Sequence, residues 1–203
     1  MNWERENTGQ IKLQQRLGYW IQRYAKDETF HKYLEIGSWN GRGSTICFAA
    51  GLHDRIGVTF YSLEINTSRV AESRQFWTPF PVVNIRHGRI LSELPDIHSV
   101  HSDIVENWHS DDEFHFRSAP FIDVTDYKPE VVLLDGGEYL TYFEYQQLKP
   151  YAQVFLLDDT CVPKCKRIVE ELEKDAEWSL IECGDDRNGW AVFQRNQNIS
   201  KKD

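Results

Sequence analysis

The chain has 203 residues, 40% of them hydrophobic, and carries 32 acidic against 23 basic side chains, for a net charge of −9. That length suits one domain with a sizeable core, and that charge argues against broad binding to nucleic-acid phosphates or anionic membranes, which need basic faces. The opening MNWERENTGQIKLQQ has no apolar centre of a secretory signal, and no apolar run reaches about 18 residues, so a cytoplasmic protein that does not enter a membrane is expected.

Four cysteines (Cys47, Cys161, Cys165, Cys183) are too few for a disulfide scaffold. Cys161 and Cys165 lack a second pair to complete a zinc site.

In chain order, the first 30 residues read as one helix, because Ile11, Leu17, Trp20, Ile21 and Tyr24 recur at spacings of three and four. A strand at 33–36, a glycine-bearing turn at 37–43 and an apolar helix at 44–52 follow. A second strand covers 58–65. Asn66 and Thr67 are N-cap candidates for a helix reaching Trp77, and a third strand spans 82–86.

Between 95 and 128 the periodicity is lost. This stretch holds eight acids, two bases and four of the seven histidines, and so carries two-thirds of the net charge. An insertion of this length is a lid, a binding loop or a disordered segment. Apolar runs at 130–135 and 154–158 read as parallel strands buried on both faces, with helices at 139–148 and 163–174. Strands at 178–183 and 190–195 close the chain as a hairpin. The expected fold is a single α/β domain, with a doubly wound, mostly parallel, seven-stranded Rossmann-like sheet and an antiparallel C-terminal pair.

In such sheets ligands bind beyond the carboxyl ends of the strands. The turn EIGSWNGRGS sits there. Gly37 permits the tight turn, and Gly41 and Gly43 let a ligand approach the backbone. The next helix offers unpaired N–H groups above it. Glu64 ends the second strand, where a carboxylate can accept from two adjacent ribose hydroxyls. A bare helix start and a surface strand end would look the same, but the combination favours a nucleoside ligand.

With LEIGSWNGRGS, SLEI, VVLLDGGEY, LLDDT and the closing GWAVF strand, the chain resembles the class I S-adenosylmethionine-dependent methyltransferases over roughly residues 33–195. The resemblance implies that Glu35, Gly37, Ser38, Trp39, Asn40 and Gly41 surround the methionine part of the cofactor. It also implies that Glu64 holds the ribose and that Ile65 lies against the adenine. Where the family often places an acid after the third strand, this chain has His87-Gly88-Arg89.

Asp135 ends one buried strand and Asp158-Asp159 the next. Neighbouring strands lie about 4.8 Å apart, so three carboxylates should meet on the rim that carries the glycine turn. An oxygen-only cluster of this kind suits Mg²⁺ or another divalent ion. The arrangement resembles the metal-dependent O-methyltransferases of catechol and sugar type, and Asp158-Asp159 fit the sugar type better because Thr160 replaces an amide ligand. Asp135 and Glu138 are then the catalytic candidates, with Glu138 as a proton acceptor. The alternatives are that Asp135 only touches the cofactor or a backbone amide, that Asp158-Asp159 cap the next helix and that Glu138 starts one.

Trp108, Phe114, Phe116 and Phe121 of the insertion are candidates to cover an apolar substrate. The expectation is therefore an S-adenosylmethionine-dependent methyltransferase that transfers a methyl group to a small-molecule acceptor at a hydroxyl oxygen, with no nucleic-acid or membrane partner. Its rivals are a nucleotide-cofactor oxidoreductase and a non-catalytic binding module on the same fold.

Overall fold

The computed structural model describes residues 2–196, and within them seven strands form one sheet in the order β3-β2-β1-β4-β5-β7-β6. The strands are β1 (Lys32–Ile36), β2 (Thr59–Glu64), β3 (Val83–His87), β4 (Val131–Leu134), β5 (Val154–Asp158), β6 (Trp178–Gly184) and β7 (Trp190–Arg195). β1 pairs in parallel with both β2 and β4, β4 pairs in parallel with β5, and β7 runs antiparallel between β5 and β6. The expected sheet and its closing hairpin are both present. The order reverses between β1 and β4, and a crevice opens there at the carboxyl ends.

The sheet is covered on both faces. Tyr33, Phe60, Leu133 and Leu156 pack with α2 (Arg16–Lys26) and α3 (Ser44–Leu52), whose nine residues are all buried. Leu34, Leu63, Leu134 and Leu157 pack on the other face with α6 (Thr141–Leu148) and α7 (Pro163–Leu172). Alternate strand residues thus feed two cores, which is why β4 and β5 read as unbroken apolar runs. No helix among the described residues is long and apolar enough to cross a membrane.

Two expectations change. The first 30 residues are not one helix: a single turn, α1 (Trp3–Glu6), precedes α2, and Ile11 is buried in the loop of bends and turns between them. Asn7 breaks the helix by bonding across the fold. Its Nδ2 donates to the Arg42, Gly43 and Ile11 carbonyls, and its Oδ1 accepts from the Leu13 amide at 2.6 Å. The 95–128 stretch is also not structureless. It holds a 3-10 turn (Ile97–Ser99) and the 13-residue α5 (Glu106–Ser118), leaving α4 (Thr67–Trp77) where its N-cap Asn66 was expected.

Candidate functional site

A cavity of about 390 Å³ lies over the carboxyl ends of β1, β2 and β4. The glycine turn forms its floor. Gly37 has φ +86°, and a Cβ there would lie 2.0 Å from the Asp135 carbonyl oxygen, so only glycine lets β1 and β4 end side by side. Gly41 also has positive φ (+72°), and Ser73 and Trp77 fill the space beside it; Trp77 Nε1 donates to its carbonyl at 2.9 Å.

Glu64 stands at the far side of the turn. Its two oxygens accept backbone N–H groups from Trp39 and Asn66, each at 2.8 Å. The carboxylate is therefore fixed with spare lone pairs facing the cavity, and burial raises its pKa above the usual carboxylate value. Trp39 adopts φ +49° to deliver that amide, and its ring lies under the Arg69 guanidinium, 4.9 Å from the ring centroid.

Of the eight residues expected around the cofactor, Gly37, Ser38, Trp39, Glu64 and Ile65 line this cavity. Glu35, Asn40 and Gly41 do not. Glu35 is fully buried beneath the turn, where its Oε2 accepts from Thr45 Oγ1 (2.7 Å) and Ser62 Oγ (2.5 Å) while Oε1 has no partner. Burial pushes its pKa up to about 7. Asn40 folds back to accept the Arg42 amide.

Three walls escaped the sequence reading. Gly9, Gln10 and Ile11 line one side because Asn7 staples this segment onto the glycine turn. Asp111, Asp112 and His115 of α5 line another. Asp112 lies against Gly137 and accepts the Tyr139 amide at 3.2 Å; burial pushes its pKa up to about 6. Glu144 of α6 is buried beside them with an unpartnered Oε2 and is pushed up to about 8, first by burial and then by Asp112 and Glu64.

Arg89, which departs from the expected acid after β3, anchors the insertion. Its Nε donates to the Ala119 carbonyl, and its guanidinium lies 4.3 Å from the Phe116 ring centroid. Of the four aromatics proposed as a cover, Phe116 is core, packed with Leu91 and Leu140, while Trp108, Phe114 and Phe121 are exposed.

No family model and no curated protein matches the chain. Among solved structures it is similar to an O-methyltransferase from Bacillus cereus in complex with SAH, with a TM-score of 0.60 and 15% identity over 94% of this chain and 85% of that one. It is also similar to the SAH-bound methyltransferase PaMTH1 of Podospora anserina (TM-score 0.56, 15% identity, 96% and 86% covered). A third is the O-methyltransferase TomG of Streptomyces achromogenes in complex with SAM, involved in tomaymycin synthesis (0.58, 14%, 88% and 79%). The fold is that of these methyltransferases.

In this fold the ends of β4 and β5 share one rim, and Asp135, Asp158 and Asp159 converge there. One oxygen from each lies within 4.8 Å of the others. The donor set is that of a hard cation, but the space among the acids is claimed. Lys164 Nζ donates to Asp135 Oδ1 (3.0 Å) and Asp159 Oδ2 (2.6 Å), and Arg187 Nη2 donates to Asp158 Oδ2 (2.9 Å). Asn188 Nδ2 donates to the other Asp159 oxygen at 3.1 Å. With two of its three acids bridged by an ammonium, the set does not fit a divalent ion, which needs those oxygens turned inward at about 2.0–2.6 Å.

Burial pushes Asp158 up to about 7 and raises Asp135; Asp159 is held low because Lys164 and Asn188 outweigh its burial. Glu138 sits apart from the cavity lining, and its Oε1 accepts the Lys164 amide at 3.3 Å, near the start of α7.

Proposed function

We propose that this protein is an S-adenosylmethionine-dependent methyltransferase that acts on a hydroxyl oxygen of a small molecule. The observation that carries the reading is Glu64. A carboxylate at the end of β2, locked by two backbone amides and opening on a cavity floored by the Gly37 turn, is built to take the two hydroxyls of a ribose. Likeness in fold to O-methyltransferases supports it. Gly37, Ser38 and Trp39 would hold the methionine part, and Ile65 with Leu140 would hold the adenine.

S-adenosylmethionine, when bound, supplies a methyl group already activated on a sulfonium. What remains for the chain is placement, exclusion of water and removal of one proton. Asp135 lines the cavity with one oxygen on Lys164 and no protein donor on the other, so the open oxygen would receive the acceptor's hydroxyl proton. Glu138, whose carboxylate already takes the Lys164 amide, serves this role less well. The Asp111 and Asp112 carboxylates of α5 on the cavity wall favour neutral or cationic acceptors over anionic ones, and the net charge of −9 disfavours a polyanion such as nucleic acid.

Calorimetric titration with S-adenosylhomocysteine and with NAD(H) tests the assignment. Binding of the former alone is expected. Binding of NAD(H) without S-adenosylhomocysteine would overturn it in favour of an oxidoreductase.

A further inference from the structure

We propose that the Lys164 ammonium is the resident cation of the Asp135/Asp158/Asp159 cluster, standing where a divalent ion would otherwise sit, so that the site takes up no divalent ion while Lys164 is present. Lys164 is the second residue of α7, directly after Pro163, and its side chain is 11% exposed. From that fixed start its stem carries the charge back to the rim, where it bridges the ends of β4 and β5 through Asp135 and Asp159. Arg187, from the β6–β7 turn, reaches Asp158 from the opposite side and is held in turn by Gln10 Oε1 at 2.8 Å. Three carboxylates thus meet two permanent cations and a side-chain amide, Asn188.

Two physical effects keep a metal out. An ion entering the cluster would approach an ammonium that cannot leave without stripping a buried carboxylate of its partner. The oxygens are also aimed at hydrogen-bond donors 2.6–3.1 Å away, and contracting them around a small ion would break those bonds. Lys164 is then a positioning residue. By holding one Asp135 oxygen it turns the other to the cavity, a consequence that rests on the methyltransferase reading, whereas the exclusion of metal does not.

The test is Mn²⁺ binding to the full chain, read by the loss of the free-ion electron paramagnetic resonance signal. The wild type is expected to bind no Mn²⁺ that Asp159→Asn weakens. Lys164→Met, which keeps the stem and removes the charge, should gain a site at least about tenfold tighter, and Lys164→Met with Asp159→Asn should lose it. Wild-type binding that disappears in Asp159→Asn overturns the proposal without any lysine variant, so a Lys164→Met protein that fails to fold leaves it decidable. A folded Lys164→Met protein that binds no better than the wild type also overturns it. None of these readings depends on methyl transfer, and S-adenosylhomocysteine binding separates failure here from failure of the functional assignment.

Discussion

The two halves of the rim satisfy buried carboxylates in opposite ways. At the end of β2, Glu64 is held by two uncharged backbone amides and keeps spare lone pairs facing the cavity. At the ends of β4 and β5, Asp135, Asp158 and Asp159 are met by Lys164 and Arg187 and spend most of their charge inside the protein. A carboxylate fixed by neutral donors is poised to bind; one fixed by a cation is poised to stay in place. Residue type alone would make all four acids equivalent. Their partners leave Glu64 open toward the cavity and tie Asp158 and Asp159 into the frame, while Asp135 keeps one oxygen free.

The largest expected effect breaks the join between the halves. Gly37→Val puts a side chain at φ +86° against the Asp135 carbonyl, 2.0 Å from the new Cβ, and should abolish S-adenosylhomocysteine binding and lower the thermal midpoint sharply. Wild-type melting and affinity in that variant would show that β1 and β4 do not close in this way.

Glu64→Ala removes the acceptor but not the fold, and should weaken S-adenosylhomocysteine by about 10- to 100-fold, the worth of a lost charge-assisted hydrogen bond. Asp135→Asn, across the rim, should leave that affinity within about threefold and depress turnover instead. Equal losses of affinity in both variants would erase the contrast between the two halves.

A third prediction concerns acids that have no cation. Glu35 and Glu144 are fully buried and pushed up to about 7 and about 8 from an ordinary 4.5. The folded state therefore holds protons that the unfolded state gives up. Stability is full below pH 4.5, falls as pH rises from there toward 7 and 8, and is flat above, on the order of 1 kcal/mol per pH unit for each group. Thermal melts should fall from pH 5 to pH 8 and level off above, and Glu144→Gln should flatten the fall; an unchanged slope in that variant would contradict the assignment. The smallest effect is Trp39→Ala. The ring is 45% exposed and stacks only on Arg69, so its loss should change S-adenosylhomocysteine affinity by about threefold.

How much of this was legible in the sequence depended on how local the signal was. The sheet was readable because β4 and β5 must be apolar on both faces, and Gly37 with Glu64 because each answers a constraint at a strand end. α5 was not, since Phe116 is its single buried residue and one apolar contact leaves no period to see. The Asn7 staple spans 35 residues of chain to Arg42, and Lys164 reads as an ordinary polar residue at a helix start until the fold carries it to Asp135, 29 residues away. The acid triad was correctly placed on one rim. Its cations came from elements whose reach no spacing reveals.

The central claim is that Glu64 and the glycine turn form a nucleoside site that owes nothing to a metal at the acid triad. Calorimetry of S-adenosylhomocysteine with the wild type and Glu64→Ala, each with and without EDTA, tests it most directly. The account predicts binding by the wild type that chelator leaves unchanged and that Glu64→Ala weakens by about 10- to 100-fold. Binding that vanishes with EDTA, or survives intact in Glu64→Ala, would contradict it.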